Sequence, residues 1–102
     1  MRIVMGEEKK LMTEYGRYVL QYELTEHCSD TQESFDRYYG LRIVQKRERE
    51  AAVFDECVLK GITESVEEAK ALFESLVDGL VMPVSLCEIV DDWQSVKEGF
   101  AV

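Results

Sequence analysis

Three cysteines and one histidine are the side chains of this sequence with the greatest capacity for chemistry. Cys28, Cys57 and Cys87 stand 29 and 30 residues apart, and the single histidine, His27, adjoins only the first of them. A structural zinc site takes four Cys or His ligands, usually in close pairs. The spacing therefore predicts no metal site and three free thiols, with Cys57 and Cys87 buried among apolar neighbours and Cys28 exposed.

Acid–base and nucleophilic catalysis need a base within hydrogen-bond reach of the reacting group. His27 and Cys28 are adjacent, and adjacent residues of a strand point to opposite faces. Paired carboxylates such as Asp91 and Asp92 point about 100° apart on a helix, so they form no shared-proton pair. The sequence predicts no catalytic residue and no cofactor, and it does not favour an enzyme.

Charge is distributed unevenly along the 102 residues. The formal net charge is −9; residues 1–50 hold nine basic and ten acidic residues, whereas residues 51–102 hold three and eleven. Nucleic acid and anionic membrane surfaces attract positively charged proteins. We therefore expect neither a nucleic-acid partner nor a membrane partner.

The length of the chain predicts a single domain spanning residues 1–102. No apolar stretch reaches the ~18 residues of a membrane span, and no signal segment follows Met1. These features favour a cytoplasmic location, where thiols stay reduced.

Alternating apolar residues predict an antiparallel sheet in the first part of the chain. A period of two predicts strands at 17–26 and 38–47, and a weaker pattern at 2–12 predicts a hairpin with 17–26. One face of these strands carries the predicted core: Tyr18, Leu20, Tyr22, Leu24, Tyr39, Leu41 and Ile43. The polar segment 27–37 predicts a mobile loop.

A fourth strand is predicted at 51–60, ending at Gly61. Two sets of residues compete for its inward face: Val53, Asp55, Cys57 and Leu59, or Phe54, Glu56 and Val58. A bulge near Asp55 and Glu56 would let both apolar sets contribute to the core.

Two capping boxes predict two helices. In such a box a serine hydroxyl and a glutamate three residues later each bond a free backbone N–H. Ser65 with Glu68 predicts the start of the first helix, and Gly79 predicts its end. Ser85 with Glu88 predicts the start of the second.

The apolar stripe of the second helix is predicted to include Trp93 and Val96, with Trp93 as its core anchor. Pro83 is predicted to lie just before the helix, where it cannot break it.

The order ββββαα predicts an α+β fold, in which two C-terminal helices pack on one face of a four-stranded antiparallel sheet. The other face is then uncovered, and it mixes aromatic, basic and aliphatic residues. We predict that this face binds a partner, through the residues Arg17, Val19, Tyr38, Arg42 and Val44.

Two functions fit these features. The first is a small interaction or regulatory module that acts through the uncovered sheet face, with a second copy of the chain or another protein as its partner. The alternative is a small-molecule sensor or enzyme with a pocket between sheet and helices, near Asp55, Glu56 and Cys57.

Short motifs along residues 38–94 also resemble a family of short uncharacterised proteins from Gram-positive anaerobes, a domain of unknown function. The resemblance is carried by five segments: 39–43, 61–63, 67–76, 81–86 and 89–93. It implies a cytosolic bacterial setting, and it implies no activity and no site residues.

Overall fold

A computed structural model describes residues 2–31, 34–50 and 52–97. Its elements are β1 (Arg2–Thr13), β2 (Gly16–Thr31), β3 (Ser34–Arg47), β4 (Val53–Thr63), α1 (Val66–Asp78) and α2 (Pro83–Lys97). The strands form one antiparallel sheet in the order β1-β2-β3-β4. The α+β fold predicted from the sequence is confirmed.

The sheet face beneath the helices carries the core, as predicted. Leu20, Tyr22 and Leu24 of β2 lie beside Leu41 and Ile43 of β3, and each is at most 2% exposed. The helices bury seven side chains against them: Ala69, Leu72, Phe73, Leu76, Val77, Leu86 and Val90. Burying one large apolar side chain contributes about 1.5–3 kcal/mol, so this layer supplies most of the driving force for folding.

The Tyr22 hydroxyl joins the sheet to the helical hairpin. It donates a 3.0 Å hydrogen bond to the carbonyl oxygen of Val81, in the connection between α1 and α2. Burial raises the pKa of Tyr22 to about 12. The neutral phenol is therefore the form that the fold accommodates.

The predicted start of α1 is confirmed and that of α2 is wrong. The Ser65 hydroxyl accepts a 3.3 Å hydrogen bond from the Glu68 N–H. Helix α2 begins at Pro83, and Ser85 lies within its first turn, where its N–H donates to the Met82 carbonyl at 3.0 Å. Proline suits the first helical position because its fixed φ is helical and its missing N–H would have no partner there.

Helix α1 ends at Gly79, as predicted, but the left-handed residue is Leu80, with φ of 50°. The N–H of Leu80 donates to Val77 and that of Val81 donates to Leu76, both at 3.1 Å. This is the Schellman pattern, which satisfies carbonyls at the end of the helix. A leucine in that conformation costs roughly 1–2 kcal/mol, which the surrounding contacts offset.

The outer part of α2 departs from the predicted stripe. Trp93 is half-buried and packs against the core, whereas Val96 is 82% exposed. Cys87, predicted as buried, is exposed, because it lies on the outer side of the helix between the core residues Leu86 and Val90.

The loop predicted at 27–37 is wrong. Strand β2 continues to Thr31 and β3 begins at Ser34, with unbroken pairing between them; residues 32 and 33 lie outside the described residues. Polar residues do not prevent pairing, because the ladder is built from backbone groups. The pairing of β1 ends at Glu26 and that of β4 at Tyr39. Within the described part of the chain, residues 27–31 and 34–38 therefore form a two-stranded extension, which we call the arm.

The inward face of β4 combines both predicted sets. A register shift leaves Phe54 without a paired residue in β3, one position before the predicted bulge. Cys57 and Leu59 pack on the core, and the Phe54 ring lies 5.3 Å from the ring of Tyr18. The bulge therefore turns residues of both sets toward the helix side.

The prediction that β4 ends at Gly61 is wrong, because Gly61 lies in a second bulge within the strand. Residues 60–62 lie opposite the single Gly40 of β3, Gly61 adopts φ of 65°, and the strand continues to Thr63. A Cβ at Gly40 would collide with the carbonyl oxygen of Leu59. Glycine is therefore required at position 40, because backbone of the neighbouring strand occupies the space of a side chain.

The buried phenol predicts a loss of stability at alkaline pH. Unfolded Tyr22 ionises from about pH 10, whereas folded Tyr22 stays protonated up to about pH 12. Its contribution is unchanged below pH 10, and the free energy of unfolding falls by about 2–3 kcal/mol as the pH rises through this window. Urea denaturation should show this loss in the wild type and in Tyr15→Phe, which alters an exposed tyrosine, but not in Tyr22→Phe. Identical pH dependences for the wild type and Tyr22→Phe would contradict the assignment.

Gly40→Ala is expected to destabilise the protein by roughly 1–3 kcal/mol, because the added methyl must displace the β4 backbone. Gly6→Ala is the matched control, since the nearest atom to its added Cβ lies 3.9 Å away. Chemical denaturation measures both. Equal midpoints for the two variants would show that the bulge yields without cost.

Candidate interaction surface

The five residues predicted to bind a partner all occupy strand positions that alternate with the core residues. They belong to the sheet face opposite the helices, which we call the open face. Arg42 and Val44 lie near the middle of β3, whereas Arg17 and Tyr38 lie at opposite ends of the sheet. The structure therefore brings these residues onto one face without gathering them into one cluster.

The centre of the open face carries three charged side chains from three strands. The Arg42 Nε donates a 2.8 Å hydrogen bond to Glu56 of β4, and its Nη1 lies 3.2 Å from a carboxylate oxygen of Glu23 of β2. We call Glu23, Arg42 and Glu56 the charge triad. The hydrogen bond to Glu56, followed by the contacts with Glu23, raises the pKa of Arg42. One guanidinium and two carboxylates give the triad a formal net charge of −1.

Val44 is 1% exposed, so it offers no surface to a partner, contrary to its predicted place in the binding site. Register places Gln21 and Glu56 beside it on the two neighbouring strands, and Arg42 and Lys46 lie two residues away in β3. Because Val44 is the shortest of these five side chains and is buried, we infer that its longer neighbours cover it.

Apolar side chains are exposed on the open face to either side of the triad. Ile3 of β1 is 53% exposed, and Val53 and Val58 of β4 are 46% and 40% exposed. Their register partners, Thr25, Lys46 and Arg42, belong to the open face. Sequence reasoning missed this apolar border and both acids of the triad, since each depends on the register between strands.

The two end residues of the predicted site have different surroundings. The guanidinium of Arg17 lies 4.0 Å from Glu48, and both side chains are accessible to solvent. Tyr38 lines an open cleft of about 450 Å³ with residues 61–65 and Glu68. Arg17 and Tyr38 therefore lie at the two ends of the open face, away from the middle of β3 where Arg42 stands.

Asp55, Glu56 and Cys57, near which a pocket is expected, line none of five clefts found along the described residues. Between the sheet and α1 there is a gap of about 140 Å³ that admits no water molecule. Burial raises the pKa of the Cys57 thiol, which makes it a weaker nucleophile. All three cysteines are free, and no group of three metal-binding side chains lies together in the described part of the chain.

Residues 1–96 of the chain match the sequence model of a protein family. The chain belongs to DUF6514, a family of unknown function. No curated protein and no solved structure matches it. None of the helices described for this DUF6514 chain is long and apolar enough to span a membrane.

Replacing valine by glutamate should lower the free energy of unfolding at a buried position of the open face and leave it nearly unchanged at an accessible one. Val44→Glu places a carboxylate in a site that is 1% exposed, so it should cost several kcal/mol, on the scale of a buried unpaired charge. Val58→Glu, at a position 40% exposed, should change the free energy of unfolding by at most about 0.5 kcal/mol. Denaturant titration of both variants is the measurement, and a stable Val44→Glu variant would contradict the burial of that residue.

Proposed function

We propose that this DUF6514 chain is a small non-enzymatic interaction or regulatory module that binds another protein through its open face. One observation carries the proposal: one sheet face is filled by the helices, whereas no element within residues 2–31, 34–50 and 52–97 covers the other face. Antiparallel sheets tolerate one wet face, so exposure alone is not enough. The exposed Ile3, Val53 and Val58 around an ordered charge triad make this face suitable for a specific partner.

The triad defines the chemistry of that partner. Its single guanidinium is shared by two carboxylates, whose oxygens keep lone pairs that can accept further hydrogen bonds. A complementary surface presents a lysine or arginine to Glu23 and Glu56 and apolar side chains to the border. Two open faces stacked on each other would bring two net-negative triads together, which is unfavourable when water is excluded. We therefore assign the open face to a different protein.

The proposed setting is the cytoplasm of a Gram-positive anaerobic bacterium. The resemblance described above supports this setting, and three free thiols, two of them exposed, suit a reducing compartment. The net charge of −9 opposes binding to nucleic acid or to an anionic membrane, so the proposed partner is a protein.

Site-specific photo-crosslinking tests the proposal. A photoreactive phenylalanine analogue replaces Val58 on the open face or Val84, a 78% exposed residue of α2 that serves as the control. In cells that naturally express the chain, we expect a discrete protein adduct from position 58 and none from position 84. The same adduct from both positions, or none from position 58, would overturn the proposal.

The captured protein must then pass a binding test with purified components. Glu56→Lys reverses one charge of the triad and should weaken its binding at least ~10-fold, the scale of losing one buried charge contact. Glu88→Lys makes the same change on the exposed surface of α2 and should leave the dissociation constant unchanged. Equal affinities for the two variants would show that the triad is not part of the interface.

A further inference from the structure

Four basic side chains gather at the end of the sheet where both hairpins turn. Lys10 of β1 and Arg17 of β2 lie close to the turn between these strands, whereas Arg47 and Arg49 lie where β3 turns toward β4. The N–H of Glu48 donates a 3.0 Å hydrogen bond to the carbonyl oxygen of Arg17, which joins the two turns. We call Lys10, Arg17, Arg47 and Arg49 the basic end. It concentrates positive charge in a chain whose formal net charge is −9.

The acids beside the basic end leave its hydrogen-bond donors available. The shortest N···O distances are 3.7 Å from Lys10 to Glu48, 4.0 Å from Arg17 to Glu48 and 3.9 Å from Arg47 to Glu50. All exceed the length of an N–H···O hydrogen bond, about 2.7–3.2 Å. The fourth side chain has no carboxylate partner in the described part of the chain. The arginine of the charge triad, by contrast, is hydrogen-bonded on both sides.

The guanidinium of Arg47 is held in place by an aromatic ring. Its Cζ lies 5.4 Å from the centroid of the Phe54 ring, within the range of a cation–π contact. The Phe54 ring in turn lies 5.3 Å from the ring of Tyr18. A guanidinium over a ring keeps its N–H donors for other groups, because they point outward in its own plane. Arg47 is therefore preorganised to bind a carboxylate.

Two open clefts, of about 310 Å³ and 330 Å³, meet at the basic end, and Arg17 and Glu48 line both of them. The first, which we call the apolar cleft, is also lined by Leu11, Met12 and Tyr18. The second, which we call the arginine cleft, is lined by the other two arginines of the basic end. Both volumes lie at the lower end of the range of ligand pockets, which suits the side chains of a peptide.

We propose that the basic end binds an acidic segment of another protein. Carboxylates of that segment accept hydrogen bonds from Arg17, Arg47 and Arg49, and a neighbouring apolar side chain of the segment enters the apolar cleft beside Met12. Arginine can hold a carboxylate through two parallel N–H···O bonds, each roughly twice as strong as a hydrogen bond between neutral groups. The recognised pattern is therefore an aromatic or aliphatic residue next to acidic residues.

Charge complementarity favours a peptide over nucleic acid as the occupant. Nucleic acid carries an unbroken row of phosphates. The carboxylates of Glu48 and Glu50 lie among the arginines and repel such a row, as does the net charge of −9. A peptide places its carboxylates singly and can avoid those two positions. It also supplies the apolar side chain that the apolar cleft accepts.

This site does not depend on the proposed function and is compatible with it. Arg47 and Arg42 of the charge triad are five residues apart in β3, a separation of about 17 Å at 3.4 Å per residue. The two sites also select opposite charges, since the triad attracts a basic side chain and the basic end attracts an acidic one. Failure of either proposal therefore leaves the other standing.

NMR titration of the full 15N-labelled chain tests the proposal. The probe is a blocked peptide, Glu-Glu-Phe-Glu-Glu, and its uncharged counterpart is Gln-Gln-Phe-Gln-Gln. With the acidic peptide at up to ~5 mM, a range in which weak binding is measurable, we expect saturable shifts of the amide signals of residues 10–12, 17–18 and 47–50. The glutamine peptide should leave these signals unchanged, because it has no carboxylate.

Matched charge reversals locate the binding. Arg17→Glu and Arg49→Glu each replace attraction by repulsion, so each should raise the dissociation constant of the acidic peptide at least ~5-fold, the scale of an exposed ion pair. Lys70→Glu makes the same change of net charge on the exposed surface of α1, outside both clefts, and should change that constant less than ~2-fold, because salt screens distant charges. Circular dichroism establishes that each variant is folded.

Several results would overturn the proposal. One is the absence of shifts with the acidic peptide, another is equal binding of the glutamine peptide, and a third is an equal loss of affinity in Lys70→Glu. Shifts of the same amides with inorganic pyrophosphate, but not with the peptide, would replace the proposed occupant by a phosphate-bearing ligand. The same shifts on concentrating the chain without peptide would replace it by a second copy.

Discussion

The hydrogen bond between the Tyr22 hydroxyl and the Val81 carbonyl fixes how the two layers of this protein meet. Tyr22 stands at the centre of the sheet, and Val81 lies in the connection between the helices, directly after the left-handed Leu80. The bond provides a buried phenol with an acceptor and provides a non-helical carbonyl with a donor, so neither group is left unsatisfied. The bond links the connection between the helices to the sheet face on which both helices bury their apolar side chains.

When helices cover only one face of a sheet, no second apolar layer holds the side chains of the other face in place. Here the polar layer lies within the sheet itself: Arg42 bridges carboxylates on both neighbouring strands, and long side chains stand around Val44. Ion pairs at partly exposed positions contribute little to stability, so the triad is better understood as a fixed pattern of charge. Fixed charge beside exposed apolar groups favours selective binding over non-specific adhesion.

The layering could be predicted from the sequence because it depends on local periodicity. Strands β2 and β3 alternate clearly, and Ser65 caps α1 as its spacing with Glu68 predicts. The arm could not be predicted, because its polar residues carry a turn-like signal while the backbone groups of 27–31 and 34–38 still pair. The triad could not either, since nothing local indicates that Glu23 and Glu56 stand on opposite sides of Arg42. The residue pattern of one segment cannot predict features that depend on the register between strands distant in sequence.

The same bulge that requires glycine at position 40 also accounts for the free edge of the arm. Three residues of β4 lie opposite Gly40, after which the chain pairs once more at Thr63 and turns into α1. The Thr63 hydroxyl donates to Glu68 and accepts from the Ser65 N–H, so the exit toward the helix is fixed by hydrogen bonds. Because β4 leaves the sheet here, no strand among the described residues lies beside β3 before Tyr39 on that side. Thr63 therefore marks both the end of the four-stranded part of the sheet and the start of the layer of helices.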